Sequence, residues 1–415
     1  MKLSTNMQDV TAIVPTYNRA RYLGECLTAL IEQTTPPRQI IVVDDGSTDD
    51  TAAVTSAFAG RVEYLHKANG GKSSALNLAL TQATGAAIWI FDDDDVADPD
   101  ALRLLSNALT DNPEAGFAFG DHDNFMVDST GDKRFIPAPR RPFDVDDLHC
   151  AIIERCFIFQ PALLVRRRCY DEVGPFDTDL PRAQDYDMLL RLSRHAAGVH
   201  VPAILFHQRQ HTDVRGTAAV SIRGEEIWER QKHFDALVLE KLYRYNSLSD
   251  YLPRSRQASE LAPADRISAL LRRAAGMARK KLWAIATADI DAAATLAKQH
   301  DIRTIGAADA ALLTRVFDEF GYARDRLDPT NPLLQHVAAL PSGPFRSSVM
   351  TALTWPVFRY ALLSARHGNA SDLIRHARLY ARLMDGTTLP SHLRRVFSKV
   401  GGSSKTPAAR LSDAG

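Results

Sequence analysis

Between residues 11 and 121, short apolar runs rich in β-branched side chains alternate with helical stretches. Runs at 11–15 (TAIVP), 39–44 (QIIVVD), 62–66 and 87–91 (AIWIF) read as strands. Segments at 21–33 and 72–82 read as helices, and Ser47 or Thr48 is placed to cap another that runs to about residue 59. Pro99 stands where a further helix would start, and 117–121 closes the series. A chain of this kind has few choices, because parallel strands cannot be joined by hairpins and each intervening helix must cross over the sheet. The expectation is an α/β, Rossmann-like, mostly parallel sheet, which binds ligands at the carboxyl ends of its strands.

The pattern changes after residue 121. A hairpin is expected around Ser129-Thr130-Gly131-Asp132, followed by a Pro/Arg-rich loop at 137–143. Strands at 157–165 and 199–206 flank an amphipathic helix at 185–195, with Met188, Leu189 and Leu192 on one face. Beyond about Gly224 the segments are Ala-, Leu- and Arg-rich and helical: 225–250, 264–299, 303–320, 348–367 and 371–384. At 415 residues the chain exceeds one ordinary core. The expected division is an α/β domain over 1–224, an all-helical C-terminal region over 225–402 and a disordered tail over 403–415.

Two of the expected strands run straight into acid: Asp44-Asp45 follows IIVV, and Asp92-Asp93-Asp94-Asp95 follows IWIF. Four adjacent aspartates cannot all ionise cheaply without a cation nearby. Hard oxygen donors of this kind suit Mg²⁺ or Mn²⁺, which would in turn hold phosphate oxygens. The plainer reading is an acidic cap for the helix after Pro99, but a cap needs one or two carboxylates. Asn69-Gly70-Gly71-Lys72-Ser73 offers backbone N–H groups and a lysine to an anion. It is not a phosphate loop, since His66 stands where that motif requires glycine.

Charge divides along the chain. Residues 1–224 carry 22 Lys/Arg against 31 Asp/Glu, and 225–415 carry 28 against 19. That points to a cation site in the first half and an anionic partner for the second, or else to solvated surface alone. Four cysteines without C-x-x-C spacing are expected as buried thiols in a reducing compartment. The N-terminal residues lack an apolar leader, and the best apolar stretch, 349–358, is too short to span a bilayer and contains Pro356. A cytoplasmic protein is expected, able to rest on the inner face of a membrane.

VPTYNR (14–19), IVVDDGSTDDT (41–51), NGGKSSALN (69–77), IFDDDDV (90–96), VGPFDTDL (173–180) and AQDYDMLLRL (183–192) together resemble the family 2 glycosyltransferases of the GT-A fold, in order and spacing, over about 11–212. The resemblance implies an inverting transferase that moves a sugar from a nucleotide-diphospho-sugar, a UDP-sugar above all, to a hydroxyl acceptor, glycan or lipid-linked, in cell-envelope polysaccharide synthesis. It further implies that Pro15 and Tyr17 border the nucleotide base, that Asp44 accepts a hydrogen bond from it, and that Lys72 belongs to the donor site. Asp92 and Asp94 match the Asp-x-Asp motif, Asp92 toward the ribose and Asp94 on a divalent metal (Mn²⁺ or Mg²⁺) with the diphosphate; Asp93, in the variable place, is counted with the donor site. Asp185 matches the general base, preceded here by Gln184 where the family often has Glu. His211 falls near the diphosphate and is assigned to the metal. The Gln-x-x-Arg-Trp motif of processive synthases is absent.

Each of these residues has a plainer role available. Tyr17 could be packing, Asp185 or Asp187 a helix cap, and His211 a surface loop residue. A nucleotidyltransferase would also use paired aspartates on such a sheet, but VPTYNRARY lacks its glycine-rich loop. A catalytically inactive binding or scaffold module is the other alternative. No nucleic-acid partner is expected. Residues 330–415 hold 11 Lys/Arg against three Asp/Glu. Arg375, Arg378 and Arg382 recur at helical spacing beside Leu373, Ile374, Leu379 and Leu383, a basic amphipathic helix suited to peripheral contact with an anionic membrane.

Overall fold

A computed structural model describes residues 9–140, 142–211, 215–217, 220–222, 226–318 and 330–383. The chain forms two compact units, Met1–Ser255 and Arg256–Gly415. The first opens with β1 (Val10–Thr16), α1 (Ala20–Ile31), β2 (Gln39–Asp44), α2 (Thr51–Ser56), β3 (Glu63–His66), α3 (Lys72–Gln82), β4 (Ala87–Ile90), β5 (Val96–Ala97) and α4 (Ala101–Asp111). It continues with β6 (Phe117–Val127), β7 (Lys133–Pro137), α5 (Leu148–Glu154), β8 (Leu163–Arg166), α6 (Arg167–Val173), α7 (Gln184–His195), β9 (Gly198–Arg209), the short pair β10 (Arg215–Thr217) and β11 (Val220–Ile222), and α8 (Glu226–Tyr245).

The main sheet runs β3-β2-β1-β4-β8-β6-β9-β5, with β7 hydrogen-bonded to β6. β3, β2, β1 and β4 are mutually parallel, as the alternation of strands and helices requires. The second half is mixed: β8 is antiparallel to both β4 and β6, and β6 is parallel to β9. The sheet is therefore α/β but less uniformly parallel than expected. β1 is buried along its whole length. One core gathers Val10, Ala12 and Val14 of that strand with Leu23 and Leu27 of α1, Trp89 of β4 and Leu102 and Leu105 of α4. Trp89 is fully buried and its indole N–H donates to the Pro161 carbonyl at 2.8 Å, so its polar edge is satisfied.

Several boundaries differ from the sequence reading. Ser47 does not cap α2; its Oγ accepts from the Asn18 N–H at 2.8 Å, and the helix starts at Thr51. Pro99 precedes its helix, which begins at Ala101. The strand expected over 157–165 is reduced to Leu163–Arg166, because a 3-10 turn at Gln160–Ala162 carries Pro161, which has no N–H to give a ladder. The hairpin near 129–132 is present as β6–β7, turning through Gly131. The compact unit ends one helix beyond the boundary expected at 224. Lys241 of α8 pairs with Asp177 at 2.8 Å and with Asp187 of α7 at 2.9 Å, which ties α8 to the sheet-bearing unit.

The second unit is helical: α9 (Pro263–Arg279), α10 (Trp283–Gln299), α11 (Ala307–Thr314), α12 (Pro332–Ala339), α13 (Pro344–Arg366) and α14 (Ala370–Leu383). α12 falls in a stretch where no helix was expected. The buried stripe Ala286, Ile290, Ala293 and Ala297 lets α10 approach α9 closely, and Arg273 of α9 clamps Asp289 of α10 through two hydrogen bonds of 2.8 and 2.6 Å. α13 continues through Pro356. No described helix is long and apolar enough to cross a membrane. The four cysteines are thiols, not disulfides, and three are buried. The tail expected at 403–415 lies outside the described residues.

Candidate active site

The carboxyl ends of β1, β2 and β4 are brought level by their parallel register: Thr16 lies beside Asp44, and Ile13 beside Ile90. Pro15 is buried beside Val43, and Tyr17 leaves the strand half-buried. The loops after β1 and β2 are laced together. Asn18, at φ 53, accepts the Thr48 N–H on its side-chain oxygen at 2.7 Å, and Asp49 accepts the Ala20 N–H at 3.0 Å. This lacing fixes the stretch that carries Arg19.

Asp44 is almost wholly buried. Its Oδ1 accepts the Ser47 N–H at 2.7 Å and its Oδ2 accepts the Tyr64 hydroxyl at 2.5 Å. Each oxygen keeps a second lone pair, so the carboxylate can still accept from a base. Burial, and then the bond to Asp44, raise the pKa of the Tyr64 phenol, which stays a donor. Asp45 has a different job. It accepts from Lys67 at 2.7 Å and from the Gly70 and Gly71 N–H groups at 2.9 and 2.7 Å. The anion cradled by the Asn69-Gly70-Gly71 loop is therefore Asp45 itself. The turn between them requires Gly46, at φ 84, where a Cβ would stand 2.8 Å from the Asn69 nitrogen.

The four aspartates after β4 are each met by groups of this chain. Lys72, at the start of α3, donates to Asp92 at 2.5 Å. Arg19 donates one guanidinium nitrogen to Asp93 at 3.1 Å and to Asp94 at 2.5 Å. His211 Nε2 lies 2.8 Å from the same Asp94 oxygen, and its ring is 5.3 Å from that of Tyr22. The Arg209 N–H donates to Asp95 at 2.9 Å, and the Arg209 side chain donates to the Asp94 carbonyl at 2.9 Å and to Glu25. Burial pushes the Asp93 carboxyl up to about 7, with Arg19 opposing and Asp94 reinforcing the shift. For Lys72, burial works against the charge, but Asp92, Asp185 and Asp93 outweigh it and raise its pKa.

Asp185 sits in the first turn of α7, just after Ala183 in a left-handed conformation. Burial raises its pKa, Lys72 opposes, and Asp92 adds to the rise. The Asp185 Oδ1 accepts the Tyr186 N–H at 2.9 Å. Asp187, two residues on, is instead committed to structure: it is buried and held by Arg191 at 2.9 Å and Lys241 at 2.9 Å. Gln184 presents a buried Oε1 that makes no hydrogen bond.

A divalent cation would find Asp94 and His211 converging on one point. Among the described residues no group of three or more His, Cys, Asp or Glu is arranged to hold a metal. Mg²⁺ and Mn²⁺ bound with substrate phosphates need only one or two protein donors and keep several waters, so a carboxylate and an imidazole fit. Arg19, Tyr64, Lys67, Glu25 and Arg209 were not singled out from the sequence. Arg19 stands inside the quoted VPTYNR, but its partners lie 74 and 75 residues away.

Residues 11–174 match the model of glycosyl transferase family 2. An uncharacterized glycosyltransferase of Rickettsia bellii is 31% identical over 230 residues, covering 54% of this chain and 33% of that protein. Chondroitin synthase of Pasteurella multocida is 28% identical over 259 residues, 58% of this chain and 26% of the synthase. The chain thus spans a third or less of the length of these two relatives. Among solved structures, S. aureus TarS aligns with a TM-score of 0.49 at 17% identity, over 88% of this chain and 54% of that one.

Proposed function

We propose, since residues 11–174 match the model of glycosyl transferase family 2, that the sheet-bearing unit transfers a sugar from a nucleotide-diphospho-sugar to a hydroxyl acceptor with inversion at the anomeric carbon. The observation that carries this reading is the gathering of carboxylates at the carboxyl ends of β2 and β4, where Asp44 lies beside Thr16 and Lys72 of α3 donates to Asp92 at 2.5 Å. In this reading Pro15, Tyr17 and Asp44 receive the nucleotide base, with Tyr64 and Ser47 orienting the Asp44 carboxylate. Asp92 and Asp93 face the ribose and diphosphate side, and Lys72 adds positive charge there.

Asp185 takes the proton of the acceptor hydroxyl as its oxygen bonds to the anomeric carbon. The bond from that carbon to the diphosphate oxygen breaks, and the nucleoside diphosphate leaves. One displacement by the acceptor oxygen, on the face opposite the departing diphosphate, inverts the anomeric carbon. Base help of this kind contributes about 10²–10⁴-fold. Asp94 and His211 would hold a divalent metal, Mn²⁺ or Mg²⁺, which when bound supplies charge neutralisation for the diphosphate.

The acceptor in this proposal is a glycan or a lipid-linked hydroxyl of cell-envelope polysaccharide synthesis, reached from the cytoplasmic face. Contact with an anionic membrane surface is assigned to α14. Leu379 and Tyr380 of that helix are buried, and the Tyr380 ring lies 5.2 Å from Phe358, while Arg375 and Arg378 are exposed. The contact would therefore be electrostatic, made by the basic face, because part of the apolar face is already packed.

Thermal stabilisation against a panel of nucleotide-sugars, with and without Mn²⁺, tests the donor class. We expect one or more nucleoside-diphospho-sugars to raise the melting temperature in a Mn²⁺-dependent way, and Asp94→Ala to abolish the metal-dependent part, with the unliganded melting temperature lowered because Arg19 loses a buried partner. No stabilisation by any member of the panel would overturn the reading.

A further inference from the structure

The acidic cluster after β4 already has a cation of its own. Asp93 and Asp94 are among the most buried carboxylates of the sheet edge, with side chains 6% and 11% exposed, and one guanidinium nitrogen of Arg19 reaches both. Burying two adjacent carboxylates without a counter-charge is strongly unfavourable. The laced loops that fix Asn18 deliver Arg19 to that place, and the Arg19 side chain is itself mostly covered. It is thus a built contact, not a surface pair.

The oxygen that Arg19 holds most closely is the one that His211 also approaches, Asp94 Oδ2. A guanidinium held at that oxygen repels a divalent cation arriving beside it. A bare metal ion at Asp94 and His211 therefore binds best with Arg19 displaced, and the freed guanidinium would be left among buried groups with one carboxylate partner fewer. A nucleoside diphosphate changes the balance. Its phosphate oxygens match the planar fork of an arginine and accept from it at least as well as a carboxylate does. Arg19 can then move from Asp94 to phosphate, and Asp94 is released to the metal.

Resting on the reading of this site as a metal-assisted donor site, we propose that Arg19 is an internal counter-cation that makes divalent-metal binding conditional on the nucleoside diphosphate. It holds the metal's carboxylate in the donor-free protein and hands it over when diphosphate arrives. Metal and nucleotide then bind with positive coupling, and by linkage each strengthens the other by the same factor. The protein would carry little metal between turnovers and would assemble the loaded site in one cooperative step.

Free Mn²⁺ can be followed by its paramagnetic resonance signal in titrations of the full chain, with and without saturating UDP. In the unaltered protein we expect weak Mn²⁺ binding alone and binding at least about tenfold tighter with UDP. Arg19→Met should raise nucleotide-free Mn²⁺ affinity by about tenfold and shrink the coupling toward one; Arg19→Lys, which keeps the charge but lacks the planar fork that matches phosphate oxygens, should fall between. Circular dichroism confirms that each variant is folded, and the unaltered chain tests the coupling even if Arg19→Met is not. Equal Mn²⁺ affinity with and without UDP in the unaltered chain, or unchanged or weaker nucleotide-free binding in folded Arg19→Met, would overturn the inference. Absence of Mn²⁺ binding in every form, UDP present or not, would instead sink the metal-assisted reading on which it rests.

Discussion

At the scale of single residues, the site works by giving its carboxylates different settings. Asp45 is neutralised by Lys67 and two backbone N–H groups, Asp92 by Lys72, and Asp93 and Asp94 by Arg19. For Asp185, burial dominates and lifts the pKa, with Asp92 adding to the rise and Lys72 restraining it. A base with a raised pKa is protonated, and lost, as pH falls through that raised value. The acid limb of kcat/KM should therefore lie above the ordinary aspartate value of about 4. Lys72→Met, by removing the restraint, should move the limb further up, whatever it does to the rate. A limb at or below about 4, or one that moves down in Lys72→Met, would contradict this. The aspartates themselves were legible in the sequence because each cluster ends an apolar run. Lys72 and His211 were named through the family resemblance, but Arg19 was not, because it reaches Asp94 across 75 residues and spacing carries no signal over such a distance.

At the scale of elements, the parallel half of the sheet was readable because its periodicity is local: a strand, a helix, a strand. The mixed half was not. β8 inserts between β4 and β6, setting Arg166 beside Ala87 and Val165 beside Phe117, a choice made by packing that no short window of sequence records. The turns matter as much as the strands. Gly46 at φ 84 allows Asp44 and Asp45 to diverge, one toward Tyr64 and the other into the Gly70-Gly71 loop. Gly46→Ala should cost about 1–2 kcal/mol from the left-handed backbone alone, a fall in melting temperature of roughly 2–8 °C, and more if Asn69 cannot yield. An unchanged melting curve would show that the turn is not under that constraint. α7 is held by α8 through Lys241, which bridges Asp177 and Asp187. Lys241→Met should destabilise the protein by about 1–2 kcal/mol, discounted for its partial exposure. Chemical denaturation reads this directly, and no change would mean that the bridge is idle.

At the scale of the molecule, an acidic sheet-bearing unit is joined to a basic helical one, a division visible in the charge count. α14 offers Arg375 and Arg378 to solvent. Co-flotation with phosphatidylglycerol liposomes should occur at low salt, fade at high salt and weaken in Arg375→Glu/Arg378→Glu, each lost basic residue removing about 1 kcal/mol near the surface. Flotation that ignores both salt and the substitutions would place the contact elsewhere or nowhere. In the proposed reaction one carboxylate in the first turn of α7, Asp185, acts as base beside a separate donor site. Asp185→Asn tests it most directly, with donor affinity and single-turnover transfer measured on the same preparation. We expect unchanged donor affinity, a transfer rate lower by about 10² or more, and a melting temperature no lower than before, since a carboxylate whose pKa is raised by folding is a burden on the fold at neutral pH. Near-normal transfer in Asp185→Asn, or a loss confined to donor affinity, would contradict it.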